Sequence, residues 1–198
     1  MKRLFDILAA AVGLVVLSPL LLVVALVILV ADGWPVLFLH ERVGRNGRMF
    51  RLVKFRTMTD LSNDDRNGFT PGERKRVTAI GRFLRRAKMD ELPQLWNVLV
   101  GDMSMVGPRP EVRKWTAVYP ERWALVHTLR PGITDPAAIA FRNEEEILAA
   151  ADDPEQTYRS EILPKKLDMY ETYVKTRSFG GDLKLICRTL QAVLHGSP

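Results

Sequence analysis

The longest apolar stretch of the chain lies near its N-terminus. Residues 7–31 include no charged residue. At about 1.5 Å per residue, a straight helix over them would be roughly 38 Å long, enough to cross a hydrocarbon core of about 30 Å. The hydrophobic region of a signal peptide is shorter, about 7–15 residues, and a helix buried in a soluble core is rarely uncharged over such a length. The stretch therefore predicts a helix that inserts into a membrane.

Ser18 and Pro19 interrupt this stretch near its middle. Proline lacks an N–H and its ring clashes with the carbonyl four residues earlier, here that of Val15, and the Ser18 hydroxyl can bond a freed carbonyl. The helix is either a kinked span or a hairpin that enters and leaves on one side, because each half, about 18 Å long, is too short to cross alone. Both flanks are basic and so favour the cytoplasmic face, although this rule also permits a span with the N-terminus outside. The flanking cations are Lys2, Arg3, Arg42, Arg45, Arg48 and Arg51.

A β-hairpin is predicted directly after the membrane segment. Two strand-like runs within residues 36–58 flank Gly44-Arg45-Asn46-Gly47, and Asn-Gly is a strong signal for a tight turn. Residues 78–87 have a helical pattern. Apolar residues at positions 92, 95, 96 and 99 have the spacing of a second helix, which Gly101 can end.

The remaining patterns predict loops and polar helices. Residues 61–72 are polar, with two glycines and a proline, and predict a loop. Residues 144–151 begin an acidic helix, and residues 183–195 form an amphipathic one. We therefore predict an α+β fold, with a membrane anchor over residues 1–33 and a small α/β domain over residues 34–198.

Composition narrows the chemistry that the chain can carry. Of its 198 residues, 47% are hydrophobic, which excludes a disordered chain. A single cysteine, Cys187, excludes an intramolecular disulfide framework and a cysteine-rich zinc site. The three histidines are far apart in the sequence, which argues against a histidine metal site. The net charge of +6 includes a segment, residues 73–90, with seven basic and two acidic residues. Such a surface suits anionic lipid headgroups or a phosphate-rich ligand.

The candidate site centres on Asp90 and Glu91. We predict that Asp90 occupies a helix N-cap position, with Pro93 in the first turn, where free N–H groups favour a carboxylate or a phosphate. Upstream cations would keep Asp90 ionised, as a nucleophile or a Mg²⁺ ligand must be. The alternative, and the commoner meaning of an isolated Asp-Glu pair, is a capping aspartate beside a solvated glutamate. The upstream cations are Arg82, Arg85, Arg86 and Lys88.

Three other cations are candidates for phosphate binding. Arg109 lies between two prolines, which present its guanidinium rigidly. Lys54 lies on a predicted strand, where alternation places it on one face with Arg56. Arg130 precedes a Pro-Gly turn. The alternatives are a surface salt bridge for Arg109, a solvated strand face for Lys54 and a simple turn residue for Arg130.

Four strings of residues, in this order, resemble the bacterial sugar transferases, the monotopic phosphoglycosyl transferases that begin the assembly of cell-surface glycans. They are KRLFDILAA…LSPLLL, PVLFLHERVGRNGRMFRLVKFRTM, TAIGRFLRRAKMDELPQLWNVLVGDMSMVGPRPE and LRPGIT. The similarity covers nearly the whole chain, and its length is typical of the small form, a membrane anchor with a catalytic domain.

The resemblance implies a re-entrant membrane helix broken at Ser18 and Pro19, interfacial amphipathic helices, and a catalytic domain on the cytoplasmic face of the bacterial inner membrane. It implies a Mg²⁺-dependent reaction in which Asp90 attacks a UDP-sugar, releases UMP and passes the phospho-sugar to polyprenol phosphate. Glu91 would be the partner carboxylate and Asp90 also the Mg²⁺ contact. The substrate-binding candidates are Lys54, Arg85, Arg109 and Arg130.

The implied partners are a UDP-sugar, polyprenol phosphate and membrane lipids, without nucleic acid, and a homodimer is possible because family members often dimerise. One segment departs from the family pattern. Many members continue RPGITG with WAQVNGRN, whereas this chain reads RPGITDPAAIAFRNEEEIL. The difference leaves the sugar open, since this region is a candidate for shaping sugar choice.

Two other classes of protein remain as alternatives. A basic, membrane-anchored nucleic-acid binder would explain the arginine clusters, but neither aromatic stacking platforms nor a recognition helix is evident. A non-enzymatic membrane scaffold would remain functional when Asp90 is replaced with asparagine.

Overall fold

A computed structural model describes residues 1–59, 76–141 and 143–195 as a mixed assembly of helices and short strands. The predicted loop over residues 61–72 lies outside the described residues. The elements in chain order are α1 (Lys2–Asp32), β1 (Leu37–Val43), β2 (Met49–Phe55), α2 (Ala79–Arg86), α3 (Gln94–Val100), β3 (Ser104–Val106), α4 (Arg113–Thr116), α5 (Pro120–Val126), β4 (Gly132–Thr134), α6 (Ala137–Ala140), α7 (Glu144–Ala150), α8 (Pro154–Thr157), α9 (Leu163–Thr176) and α10 (Phe179–His195).

The N-terminal helix α1 continues through Pro19 rather than separating into two helices. As predicted, the Ser18 hydroxyl donates to the carbonyl of Val15, at 2.7 Å, and so satisfies the acceptor that Pro19 leaves without an N–H. The most apolar window of α1 has a mean hydropathy of 3.2, and only 11% of it is buried. The helix is thus long and apolar enough to cross a membrane, while its re-entrant path stays a prediction.

One stripe of α1 packs against the rest of the chain along the whole length of the helix. Asp6, Ala10, Val24 and Ile28 are buried on this stripe. At the start of α1, Arg3 donates to the C-terminal carbonyls of α3, which lack helical partners. At the end of α1, Arg56 donates to the carbonyls of Asp32, Gly33 and Trp34. Both ends of the helix are therefore held by the domain that follows it.

The predicted hairpin is confirmed. Strands β1 and β2 pair antiparallel, with Phe38 opposite Lys54 and Arg42 opposite Phe50, around a turn in which Asn46 has φ 56°. A second, parallel pair of strands was not predicted. Ser104 lies opposite Gly132 and Val106 opposite Thr134, joining β3 to β4.

The C-terminal half has its own core. Helices α4, α5 and α9 enclose aromatic and aliphatic side chains that are almost fully buried, among them Trp115, Trp123, Leu167 and Tyr170. Helices α7 and α10 confirm the helices predicted near residues 144–151 and 183–195. Leu183 and Leu190 of α10 are exposed, and the role of this helix at a membrane interface stays a prediction.

Candidate active site

Asp90 lies in a short 3-10 turn, Met89–Glu91, between α2 and α3. The predicted N-cap position is wrong, because α3 begins at Gln94 and the residue before it is Pro93, which offers no side-chain cap. The 3-10 turn closes through a bond from the Leu92 N–H to the Met89 carbonyl, at 3.2 Å. The Asp90 side chain therefore does not cap a helix.

The Asp90 carboxylate is buried, with 7% of the residue exposed. Its Oδ1 has no hydrogen-bond partner among the residues that the structure describes. Burial, and then the neighbouring charge of Glu91, raise the pKa of Asp90 to about 6, while Lys54, Lys88 and Arg85 act in the opposite direction. Because this pKa lies below 7, Asp90 is mostly ionised at neutral pH and can act as a nucleophile there.

Glu91 is paired directly with Arg109. One guanidinium nitrogen contacts Oε1, and the second lies 3.5 Å from Oε2. Burial opposes ionisation of Glu91, but the charge and hydrogen bond of Arg109 outweigh it and lower the pKa of Glu91 to about 2. Arg109 thus forms a salt bridge with the acidic pair in which the Glu91 side chain is only 14% exposed. Its contact with a phosphate stays a prediction.

Lys54 faces the same group of charges from β2. Burial, and then the nearby charges of Arg42 and Arg85, lower the pKa of Lys54 to about 8, while Asp90 and Glu91 act in the opposite direction. Its Nζ lies 5.4 Å from the centroid of the Phe38 ring across the hairpin. A lysine in this position can neutralise a phosphate while remaining close to deprotonation.

Arg85 reaches the site from α2. Its Nε donates to the Thr57 hydroxyl, at 3.0 Å, and Thr78 caps the helix by accepting from the Gly81 N–H. The close approach of α2 to the end of the hairpin depends on Gly81, because a Cβ at this position would lie 2.1 Å from the Thr57 carbonyl oxygen.

We therefore expect Gly81→Ala to displace α2 and to lower both thermal stability and any activity that requires Arg85. The added Cβ meets backbone, which cannot move aside as a flexible side chain can. Gly180→Ala in α10 is the matched control, because its Cβ would meet no atom within 4 Å among the described residues and alanine favours a helix over glycine by about 1 kcal/mol. Thermal unfolding of both variants checks this, and equal stability would contradict it.

Arg42 also belongs to this charge group, and the sequence analysis missed its role. It lies on β1 with its Nη1 3.0 Å from Glu111 Oε1, and Glu111 in turn accepts from the Tyr158 hydroxyl at 2.6 Å. The predicted hairpin could have indicated this role, because its register places positions 42 and 54 on the same face.

Two of the predicted cations make backbone contacts away from Asp90. Arg130 donates from Nε to the Gly101 carbonyl, at 2.8 Å, and so lies at the C-terminal end of α3, whereas Asp90 precedes its N-terminal end. Arg56, which follows β2, donates to the carbonyls at the end of α1. The structure thus brings together Asp90, Glu91, Lys54, Arg85 and Arg109, and a substrate contact for Arg130 stays a prediction.

The donor set limits how a metal could bind. Within the described part of the chain, no three His, Cys, Asp or Glu side chains form a group that could hold a metal ion. Magnesium, however, is commonly held by one or two carboxylates together with substrate phosphates and waters. The unpartnered Oδ1 of Asp90 fits this second arrangement.

Comparison with known proteins identifies relatives over nearly the whole chain. The sequence model of a family described as "Bacterial sugar transferase" matches residues 1–196. A Bacillus subtilis (strain 168) protein named "Uncharacterized sugar transferase EpsL" is 40% identical over 194 residues, which cover 98% of this chain and 87% of that protein.

Two longer relatives carry names that specify a reaction. An Aeromonas hydrophila protein, "UDP-N-acetylgalactosamine-undecaprenyl-phosphate N-acetylgalactosaminephosphotransferase", is 37% identical over 98% of this chain and 44% of its own length. A Klebsiella pneumoniae protein, "UDP-glucose:undecaprenyl-phosphate glucose-1-phosphate transferase", is 36% identical over 96% of this chain and 39% of its own length. The two names specify different sugars, so similarity at this level does not identify the sugar.

Proposed function

This chain belongs to the bacterial sugar transferase family and is a phosphoglycosyl transferase, and we propose that it transfers a sugar-1-phosphate from a UDP-sugar to undecaprenyl phosphate or a related polyprenol phosphate. The product would be the first lipid-linked intermediate of a cell-surface glycan. The observation that carries the proposal is the buried carboxylate of Asp90, whose Oδ1 has no hydrogen-bond partner among the described residues and which has Lys54, Lys88 and Arg85 nearby. Such a carboxylate can attack a phosphorus while the cations neutralise the charge of the substrate.

In the proposed first step, an Asp90 carboxylate oxygen attacks the β-phosphorus of the UDP-sugar. A new P–O bond to Asp90 forms, the bond between the β-phosphorus and the bridging oxygen breaks, and UMP leaves with that oxygen. Lys54, Arg85 and Arg109 would stabilise the charge on the transferring phosphoryl group. Glu91 would position Arg109 through their ion pair.

In the second step, an oxygen of polyprenol phosphate attacks the same phosphorus. The P–O bond to Asp90 breaks, which regenerates the carboxylate and releases a polyprenyl-diphosphate sugar. A covalent intermediate divides one transfer between two large anionic substrates into two smaller displacements. Asp90 would also hold Mg²⁺ with the substrate phosphates, and the metal would supply further neutralisation of phosphate charge.

The position of α1 supports a site at the membrane surface. Its exposed side is apolar except at Ser18, while both of its ends are held by the catalytic domain. A polyprenol tail stays in the lipid, so its phosphate must be reached at the interface. A re-entrant anchor, with the catalytic domain on the cytoplasmic face of the inner membrane, would place Asp90 there.

The proposal is tested by incubating the solubilised full-length protein with Mg²⁺, polyprenol phosphate and a panel of UDP-sugars. We expect UMP release and a polyprenyl-diphosphate sugar with at least one donor. Release of UDP instead of UMP would contradict the proposal, because it would mean transfer of the sugar without its phosphate.

We predict that the alkaline limb of kcat/KM depends on Lys54. Its pKa of about 8 means that the ammonium is present below this pH and lost above it, so kcat/KM, which reports the free enzyme, should fall above pH 8. In Lys54→Arg the charge persists to far higher pH, and the limb should shift upward. An unchanged limb in this variant would show that Lys54 is not the titrating group.

We also predict that the N-terminus and the catalytic domain lie on the same side of the membrane. Cys187 is exposed and reports the side of the catalytic domain. A cysteine in a short tag before Met1, in a Cys187→Ser chain, reports the side of the N-terminus. In sealed vesicles, a membrane-impermeant thiol reagent should label both from one side, whereas labelling from opposite sides would mean a spanning helix.

A further inference from the structure

Asp135 is a buried carboxylate that the proposed mechanism does not use. It directly follows β4, and only 1% of the residue is exposed. The desolvation cost of a fully buried carboxylate must be offset by hydrogen bonds or by an opposite charge.

The parallel strand pair brings Asp135 towards Arg109. Val106 and Thr134 are opposite each other at the ends of β3 and β4, so the segments that leave the two strands run side by side. The Gly107 N–H donates to the Thr134 carbonyl at 3.0 Å. Gly107 lies two residues before Arg109, and Thr134 lies one residue before Asp135. Burial raises the pKa of Asp135, and Arg109 is the strongest of the charges that act against this rise.

The two oxygens of Asp135 have different surroundings. Oδ1 accepts from the Ala137 N–H at 2.8 Å, which fixes the orientation of the carboxylate. Oδ2 is buried and has no hydrogen-bond partner among the described residues. Burying a carboxylate oxygen without a hydrogen bond costs free energy of folding. Oδ2 of Asp135 could therefore accept a hydrogen bond if the nearby Arg109 guanidinium moved towards it.

The ion pair of Arg109 with Glu91 competes with phosphate binding by the same guanidinium. Its hydrogen bonds to a carboxylate go to Glu91 alone among the described residues, and the same fork of donors is the one that binds phosphate oxygens. An incoming diphosphate and Glu91 therefore compete for Arg109. The guanidinium has five N–H donors, enough to serve a phosphate and a second carboxylate together.

We propose that Asp135 is a positioning residue for Arg109, a second carboxylate that accepts from the guanidinium when Arg109 turns from Glu91 to the phosphates of the nucleotide donor. The inference rests on the proposed function, because it takes the phosphate ligand from it. Asp135 does not touch the substrate and acts through Arg109.

The first test is Asp135→Asn in the full-length protein. Asparagine keeps an oxygen for the Ala137 N–H but removes the charge, so we expect the fold to be retained. We expect KM for the UDP-sugar to rise about tenfold and kcat to change less than about threefold. The Kd of UDP, measured by calorimetry without turnover, should rise in parallel. Asp168→Asn is the matched control, because Asp168 forms an exposed pair with Arg122, and its KM should not change.

A double-mutant cycle then tests whether Asp135 acts through Arg109. In an Arg109→Gln background, Asp135→Asn should leave the Kd of UDP unchanged. Equal effects in both backgrounds, or an unchanged Kd and KM in Asp135→Asn alone, would overturn the inference. Asp135→Ser, which also keeps an acceptor for Ala137, provides a second uncharged variant should the asparagine variant unfold.

The outcomes for the inference and for the proposed function are separable. A wild-type protein that releases no UMP from any UDP-sugar contradicts the proposed function. The UDP-binding cycle still decides the role of Asp135, because it requires no turnover.

Discussion

Asp90→Asn should lower the rate of UMP release at least about a thousandfold, because the amide retains the size of the side chain but is not a nucleophile that can carry the phospho-sugar. In the absence of polyprenol phosphate, intact mass spectrometry of the denatured wild-type protein should show the added mass of one sugar phosphate. The Asp90→Asn protein should show none.

The control for this experiment is Asp152→Asn. Asp152 is an exposed aspartate two residues after the end of α7, and its replacement removes the same charge without touching the site. This variant should release UMP at the wild-type rate. An Asp90→Asn protein that still forms the adduct would place the nucleophile elsewhere, whereas loss of turnover in both variants would indicate that net charge matters and not Asp90.

Arg109→Gln should lower kcat/KM about 10²- to 10³-fold, the usual effect of removing one group that stabilises transition-state charge. The variant should also be less stable, because it leaves Glu91 without its cation in a mostly buried position. The Arg109 side chain is 43% exposed, so solvent screens the pair. We therefore expect a cost of about 1–2 kcal/mol, below the about 3–5 kcal/mol of a fully buried pair.

The two effects of Arg109→Gln can be separated with a second substitution. Glu91→Gln combined with Arg109→Gln removes the unpaired charge, so the melting temperature should recover, while activity should remain low. At about 2–4 °C per kcal/mol for a chain of this size, the single variant should melt about 2–8 °C lower than the wild type. Recovery of activity in the double variant would contradict the assignment of Arg109 to the phosphates.

Local patterns predicted several elements well. The Asn-Gly turn and alternating runs indicated the hairpin of β1 and β2, because a tight turn determines the pairing of the strands on either side. Thr78 and Gly101 bounded α2 and α3, because their capping geometry depends on neighbours only a few residues away. The bond from Ser18 to Val15 was predictable for the same reason.

Contacts between distant segments were not predictable in this way. The pairing of β3 with β4 joins two three-residue strands that carry little pattern of their own. The N-cap position proposed for Asp90 was wrong because the chain forms a 3-10 turn before α3. Arg56 and Arg130 donate to backbone carbonyls of residues that are distant in the sequence. The positions of cations along a sequence do not indicate such acceptors.

The order of the residues was sufficient to infer an apolar anchor, the hairpin and the acidic pair at positions 90 and 91, because these depend on local spacing. It was also sufficient to infer the family, because long strings of residues resemble the bacterial sugar transferases. The electrostatic character of the site could be learned only from the folded chain. The pKa values of Asp90, Glu91 and Lys54, and the proximity of Asp135 to Arg109, depend on burial and on charges contributed by segments far apart in sequence. Such effects fall steeply with distance and with exposure to water, so they exist only once the hairpin, the helices and the parallel strands have been brought together.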